Sequence, residues 1–163
     1  MFTHRVFIVS IALLLTACNR SKTVSTSNGE VKVEESGKDG KSTVTFTGKN
    51  GESMTINAEG SKLPDNYPKD VPVAAGAKIV MATSVDSGDS KGASLILEAA
   101  DNPDKTVAFY KKSLADNGWK VEATMASEQM TMFSATKDTR QLVIQVGQAD
   151  GKTSVTQTLG YKK

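Results

Sequence analysis

Apolar positions along the chain recur with three different patterns, and each predicts a different element. Between residues 28 and 60 they come in short alternating bursts: Val31 and Val33, Val44 and Phe46, Met54 and Ile56. A period of two is the mark of a strand with one buried face. Asn28-Gly29, Asp39-Gly40 and Asn50-Gly51 precede the bursts at eleven-residue spacing. Such dipeptides suit two-residue hairpin turns, whose central residues need positive φ. Strands near 30–35, 42–47 and 53–58 are therefore expected, joined as a three-stranded meander over residues 29–60. A β-solenoid is the competing reading of an eleven-residue repeat, and three short coils count against it. So few apolar residues cannot form a core alone, so the meander is expected to dock on the rest or stay partly mobile. The regular Asp-x-Asp spacing of a calcium loop is missing from these turns.

The second pattern fills residues 73–163. Strand formers occupy 77–86 and 93–100, and Asn102-Pro103-Asp104 then has the chemistry of a helix start: a capping Asn, a Pro in the first turn and an acid at the positive dipole end. Asn117-Gly118 closes the helix. At 100° per residue, Thr106, Val107, Tyr110 and Leu114 share one arc with Phe109 at its margin, while Lys105, Lys112 and Asp116 point away. Four more strands are expected at 119–125, 129–136, 140–148 and 153–161. In the first, Trp119, Val121, Ala123 and Met125 alternate onto one face. The expected fold is α+β: an antiparallel ββαββββ sheet with one helix packed across it, preceded by the meander. Between the two, residues 61–72 carry Pro64, Pro68 and Pro72, which favour an extended connector and place the domain boundary there. A rigid strap anchored by Tyr67 is favoured over a proline-recognition ligand.

The third pattern is an apolar run broken by Ser10 alone, Val6 to Leu15, about half the roughly 20 residues that a membrane span needs. His4 and Arg5 precede it and small residues follow, so residues 1–17 have the layout of a secretory signal. Leu15-Thr16-Ala17-Cys18 resembles the bacterial lipobox. That resemblance implies cleavage between Ala17 and Cys18, a diacylglyceryl group on the Cys18 sulfur, and anchoring of the protein by its acyl chains. Residues 18–28 are polar, small and aperiodic, and read as a flexible tether behind the lipidated cysteine. Asn19 after the cysteine, by resemblance to the enteric sorting rule, favours the outer membrane with the body facing the periplasm over the inner membrane.

The stretch "LPDNYPKDVPVAAGAK" (63–78) with "FYKKSLADNGWK" (109–120) resembles a pattern in uncharacterised bacterial envelope lipoproteins: an LP-x-x-[FY]-P-x-DVP strap before a strand, and a helix ending FY-x-x-x-L-x-x-x-GW. It covers roughly residues 63–120. Its motifs are packing motifs, and it implies a fold rather than an activity.

Chemistry enters mainly by subtraction. The only histidine is His4 and the only cysteine is Cys18. Once the signal is removed and Cys18 acylated, nucleophilic triads, thiol catalysis and His- or Cys-based metal sites have no residues to use. Neither a phosphate-binding Gly-x-x-x-x-Gly-Lys-Ser/Thr loop nor a strand-embedded Gly-x-Gly-x-x-Gly is present. Carboxylate-pair hydrolysis needs only Asp or Glu, but these sit mostly in turns and on solvent-facing strand positions. The 163 residues carry 20 Lys and Arg against 18 Asp and Glu, a net charge of +2 without long like-charge runs, which excludes an electrostatic case for nucleic acid. Met130 and Met132 are candidates for a thioether Cu(I) site, with Met125 and Met81 as possible neighbours; core filling is the favoured role for them. "DSGDS" (86–90) reads as a tight turn before a cation loop. The expectation is a non-enzymatic, lipid-anchored envelope lipoprotein. It has no cofactor beyond the covalent lipid, its partners are the membrane and an envelope protein, and its small domain binds or assembles. A periplasmic carrier of a small ligand or of copper is the alternative.

Overall fold

In the computed structural model, which describes residues 20–36, 41–58, 63–64, 67–87 and 91–161, ten strands join a single antiparallel sheet. The elements are β1 (Arg20–Thr26), β2 (Gly29–Ser36), β3 (Lys41–Gly48), β4 (Ser53–Asn57), β5 (Lys78–Asp86), β6 (Lys91–Glu98), α1 (Pro103–Asp116), β7 (Lys120–Ala126), β8 (Met130–Lys137), β9 (Arg140–Ala149) and β10 (Lys152–Tyr161). Their order across the sheet is β1-β2-β3-β4-β5-β6-β10-β9-β8-β7. The first six strands add in sequence. Helix α1 then carries the chain to the far edge, and β7 to β10 return until β10 closes against β6.

This corrects the expected architecture in three ways. The N-terminal strands number four rather than three, and β4 pairs with β5 from Ser53↔Asp86 to Asn57↔Ala82. A separate meander ahead of a ββαββββ sheet is therefore replaced by one continuous sheet. Its antiparallel neighbours also exclude a solenoid. Second, Arg20–Thr26 is a strand where composition predicts a tether. Its Thr and Val are strand formers, and it completes the hairpin that Asn28-Gly29 begins. Thr26 Oγ1 donates to the Gly29 carbonyl at 2.9 Å, and a Cβ on Gly29 would lie 2.2 Å from the Thr47 carbonyl oxygen. Third, β7 shifts register between Val121 and Ala123. Val121 pairs with Ala135, Ala123 with Ser134 and Met125 with Met132, so the simple alternation does not keep all four residues on one face.

Helix α1 starts at Pro103 with Asn102 as its cap, whose Oδ1 accepts from the Lys105 N–H at 3.0 Å. Gly118, at φ +73°, turns the chain out of it, and the Trp119 N–H reaches back to the Leu114 carbonyl at 2.9 Å. Thr106, Tyr110 and Leu114 are its buried residues, and it packs on β9 and β7. Beneath it lie Leu95 and Leu97 of β6, Phe133 and Ala135 of β8, Leu142, Ile144 and Val146 of β9, and Val155 and Leu159 of β10, all at most 2% exposed. The register stacks these on one face, for instance Phe133↔Ile144 and Val155↔Leu97. This covered face is called inner below, and the opposite face outer. Among the described residues, the hydrophobic core cluster has no member before Tyr67.

Candidate functional site

The inner face is sealed by residues 67–77, and the polar contacts that seal it are internal. Turns bonded Tyr67 N–H to Pro64 carbonyl (2.8 Å) and Val71 N–H to Pro68 carbonyl (3.1 Å) shape the strap. Tyr67 Oη donates to Gln157 Oε1 at 2.5 Å, and Gln157 Nε2 donates to the Pro72 carbonyl at 2.8 Å and to Tyr110 Oη at 3.0 Å. One fully buried amide thus ties strap, helix and β10. Burial pushes both the Tyr67 and Tyr110 phenols up, so they stay neutral donors and acceptors.

A second fastening closes the other end of the strap. The Asp70 carboxylate receives Arg140 at 2.7 and 2.8 Å and Lys137 at 2.6 Å. The Asp70 carbonyl accepts from the Trp119 indole at 2.8 Å, and the Arg140 guanidinium lies 5.0 Å from a Trp119 ring centroid. Hydrogen bonds from Arg140 hold the Asp70 carboxyl well below the ordinary carboxylate range, against a smaller opposing effect of burial and with Lys137 adding to it. A displaced carboxylate often marks chemistry. Here both oxygens are engaged by cations that also brace neighbouring loops, as Lys137 does through the Asn117 carbonyl at 2.7 Å. The group is a latch.

The space under α1 is filled by Tyr110, Leu114, Trp119, Phe133 and Ile144, each at most 3% exposed. A cleft of about 490 Å³ opens beside the start of the helix, between Asn102–Asp104, Val107, the β7–β8 turn (Ser127–Gln129) and Gln148. Its wall is more polar than that of a typical small-molecule pocket. Among the described residues no group of three or more His, Cys, Asp or Glu is placed to hold a metal ion, and every buried side-chain nitrogen or oxygen has a partner.

The outer face is different. Val24↔Val31, Val31↔Phe46, Phe46↔Met54 and Met54↔Val85 are successive cross-strand pairs, and beside them run Val33↔Val44 and Val44↔Ile56. Counting from inward-facing Ala82 and Leu95, parity puts all eight on the outer face. Val24, Phe46 and Met54 are 57%, 41% and 37% exposed, and the inner face of the same strands bears Thr45, Thr55 and Lys32 instead. Cross-strand contact half-buries the remaining valines.

The methionines join this face, which corrects the expectation that they fill the core. Met130 pairs with Gly147 and Met132 with Gln145, both outward. Met132 lies opposite Met125, and its sulfur accepts from Gln145 Nε2 at 3.9 Å. Met125 and Met130 are exposed. Met81 shares the face but pairs with Ile96, four strand steps from Met132, roughly 19 Å. Sequence reasoning saw the alternation of these residues without the face they occupy, and it passed over Val24 and Val85. Ala17, Cys18 and the signal residues lie outside the described residues, as do Asp39-Gly40 and 88–90 of the "DSGDS" turn.

No described helix is long and apolar enough to cross a membrane. No curated protein and no solved structure matches the chain. Residues 79–153, from β5 through α1 to the first residues of β10, are similar to a family whose model is described as START domain-like.

Proposed function

We propose that the protein is a non-enzymatic lipoprotein of the bacterial envelope, held in the outer membrane by acyl chains on Cys18, with a body that binds an envelope partner in the periplasm. The observation that carries the binding role is the division of the sheet. One face is closed by helix and strap, and on the other, among the described residues, Met125, Met130 and Met132 line the end beside β7. Flexible, polarizable Met side chains suit adaptable binding surfaces. At the end of the sheet away from β1, strand β7 is an edge that among the described residues pairs with β8 alone, and its residues are all exposed; such edges accept added strands. The START domain-like match over residues 79–153 is in keeping with a small binding body. Leu15-Thr16-Ala17-Cys18 supports the anchor.

The test is purification from native membranes, with mass spectrometry of the N-terminal peptide and photocrosslinking from position 125 on β7. Lipid on Cys18, its loss with release of the chain in Cys18→Ala, and one partner crosslinked from position 125 but not from exposed Lys105 of α1 are the results expected. An unmodified Cys18, or the same products from both positions, would overturn the reading.

A second reading rests on the pairing of Met125 with Met132 and on Met130 beside them: three thioethers at one end of an exposed face, a soft donor set for Cu(I). Titrating the protein with Cu(I) against a competing chelator tests it. Unchanged affinity in the triple Met→Leu variant would remove it.

A further inference from the structure

We propose that the outer face of β1–β5 lies against the bilayer to which Cys18 is attached, so that this end of the sheet rests on the membrane with α1 and the strap turned away, while the twist of the sheet carries β7 off it. The inference rests on the lipid anchor proposed above. Three observations choose a lipid surface as the occupant.

The first is reach. Strand β1 begins at Arg20, two residues after Cys18, and two residues span at most about 7 Å. The sheet therefore starts at the headgroups, and the ladder from Val24 to Val85 crosses five neighbouring strands from that edge. An anchored face meets the bilayer at high effective concentration, so modest apolar contact is enough to orient it.

The second is area. Two rows across five strands cover roughly 300 Å² at strand spacings near 4.8 Å. A stable protein interface takes about 800 Å² from each partner, so a second copy is poorly served by this patch. A bilayer needs no matching shape.

The third is charge. Within these two rows the only ionisable side chain is Lys22, opposite Val33. The carboxylates of Glu30 and Glu34 alternate onto the other face, where they pair in register with Thr47 and Thr43. Glu35 shares the outer face but lies in the next row, opposite Arg20, so the two rows themselves form an apolar patch with one cation and no acid, which suits an anionic bilayer.

The experiment uses the full lipidated chain in vesicles of phosphatidylethanolamine and phosphatidylglycerol. An environment-sensitive dye is placed through Phe46→Cys on the outer face or Thr45→Cys on the inner face. The expected result is a blue-shifted dye at position 46 whose quenching by aqueous iodide is severalfold weaker than at position 45. Introducing Val33→Asp and Val44→Asp together should abolish that protection, with unchanged Trp119 emission reporting an intact fold. Equal quenching at both positions on protein whose Cys18 carries lipid would overturn the docking and leave the anchor standing. Protection that appears only as protein density in the membrane rises would identify a second copy and overturn it too. Absence of lipid on Cys18 would overturn the anchor and this inference together.

Discussion

Arg140 holds Asp70 with both of its terminal guanidinium nitrogens, at 2.7 and 2.8 Å, across 70 residues of chain. The pair joins the strap to the β8–β9 turn, and Trp119 is locked beneath by its own bond to the Asp70 carbonyl. Charge-assisted, bidentate bonds are the stronger kind, and this pair is mostly shielded, at 14% and 27% side-chain exposure. Asp70→Asn should cost about 1–3 kcal/mol, read from denaturant unfolding followed by Trp119 fluorescence.

The same pair sets an acid dependence. The folded-state carboxyl is held below its unfolded value, so its stabilisation is complete above the ordinary Asp range near 3.9 and is lost as pH falls toward the folded-state value. The wild-type chain should lose stability below about pH 4 more steeply than Asp70→Asn. Parallel acid unfolding curves would show that the pair contributes nothing.

Gln157 is fully buried and has three partners. Gln157→Leu keeps the volume but strands the Tyr67 hydroxyl and the Pro72 carbonyl, so it should cost at least about 2 kcal/mol. Tyr67→Phe removes one bond and should cost about 1–2 kcal/mol. Burial raises the folded-state pKa of both Tyr67 and Tyr110. Their unfolded forms ionise first as pH passes about 10, so stability should fall from there upward; a pH series of thermal melts measures it.

The two faces of the sheet should answer differently to truncation. Ile144, with no exposed surface, should cost about 2–5 kcal/mol as Ile144→Ala. Phe46→Ala, on the outer ladder, should cost less than about 1 kcal/mol. Equal costs would mean that the ladder is core.

Asn102→Ala removes the acceptor for the Lys105 N–H and should cost about 1 kcal/mol. Asn102→Ser should restore most of it, because a hydroxyl caps nearly as well.

Local chemistry was legible along the chain. The Asn102 cap, the Gly118 exit and the Asp150-Gly151 turn with both residues at positive φ each depend on a few adjacent residues, so their side chains and backbone preferences determine them. What the chain by itself could not convey was pairing between distant segments. Whether β4 docks on β5, and so whether there is one sheet or two, depends on hydrogen bonds across a connector of about twenty residues, which no local pattern specifies. Alternation made Val31, Phe46 and Met54 strand residues, but it carries no sign for which face is inner. That sign comes from where α1 and the strap settle, and they settle over Leu95, Ile144 and Val155, where the larger apolar area is removed from water. The methionines followed from the same choice: with the inner face filled by branched and aromatic side chains, period two left Met130 and Met132 on the open side.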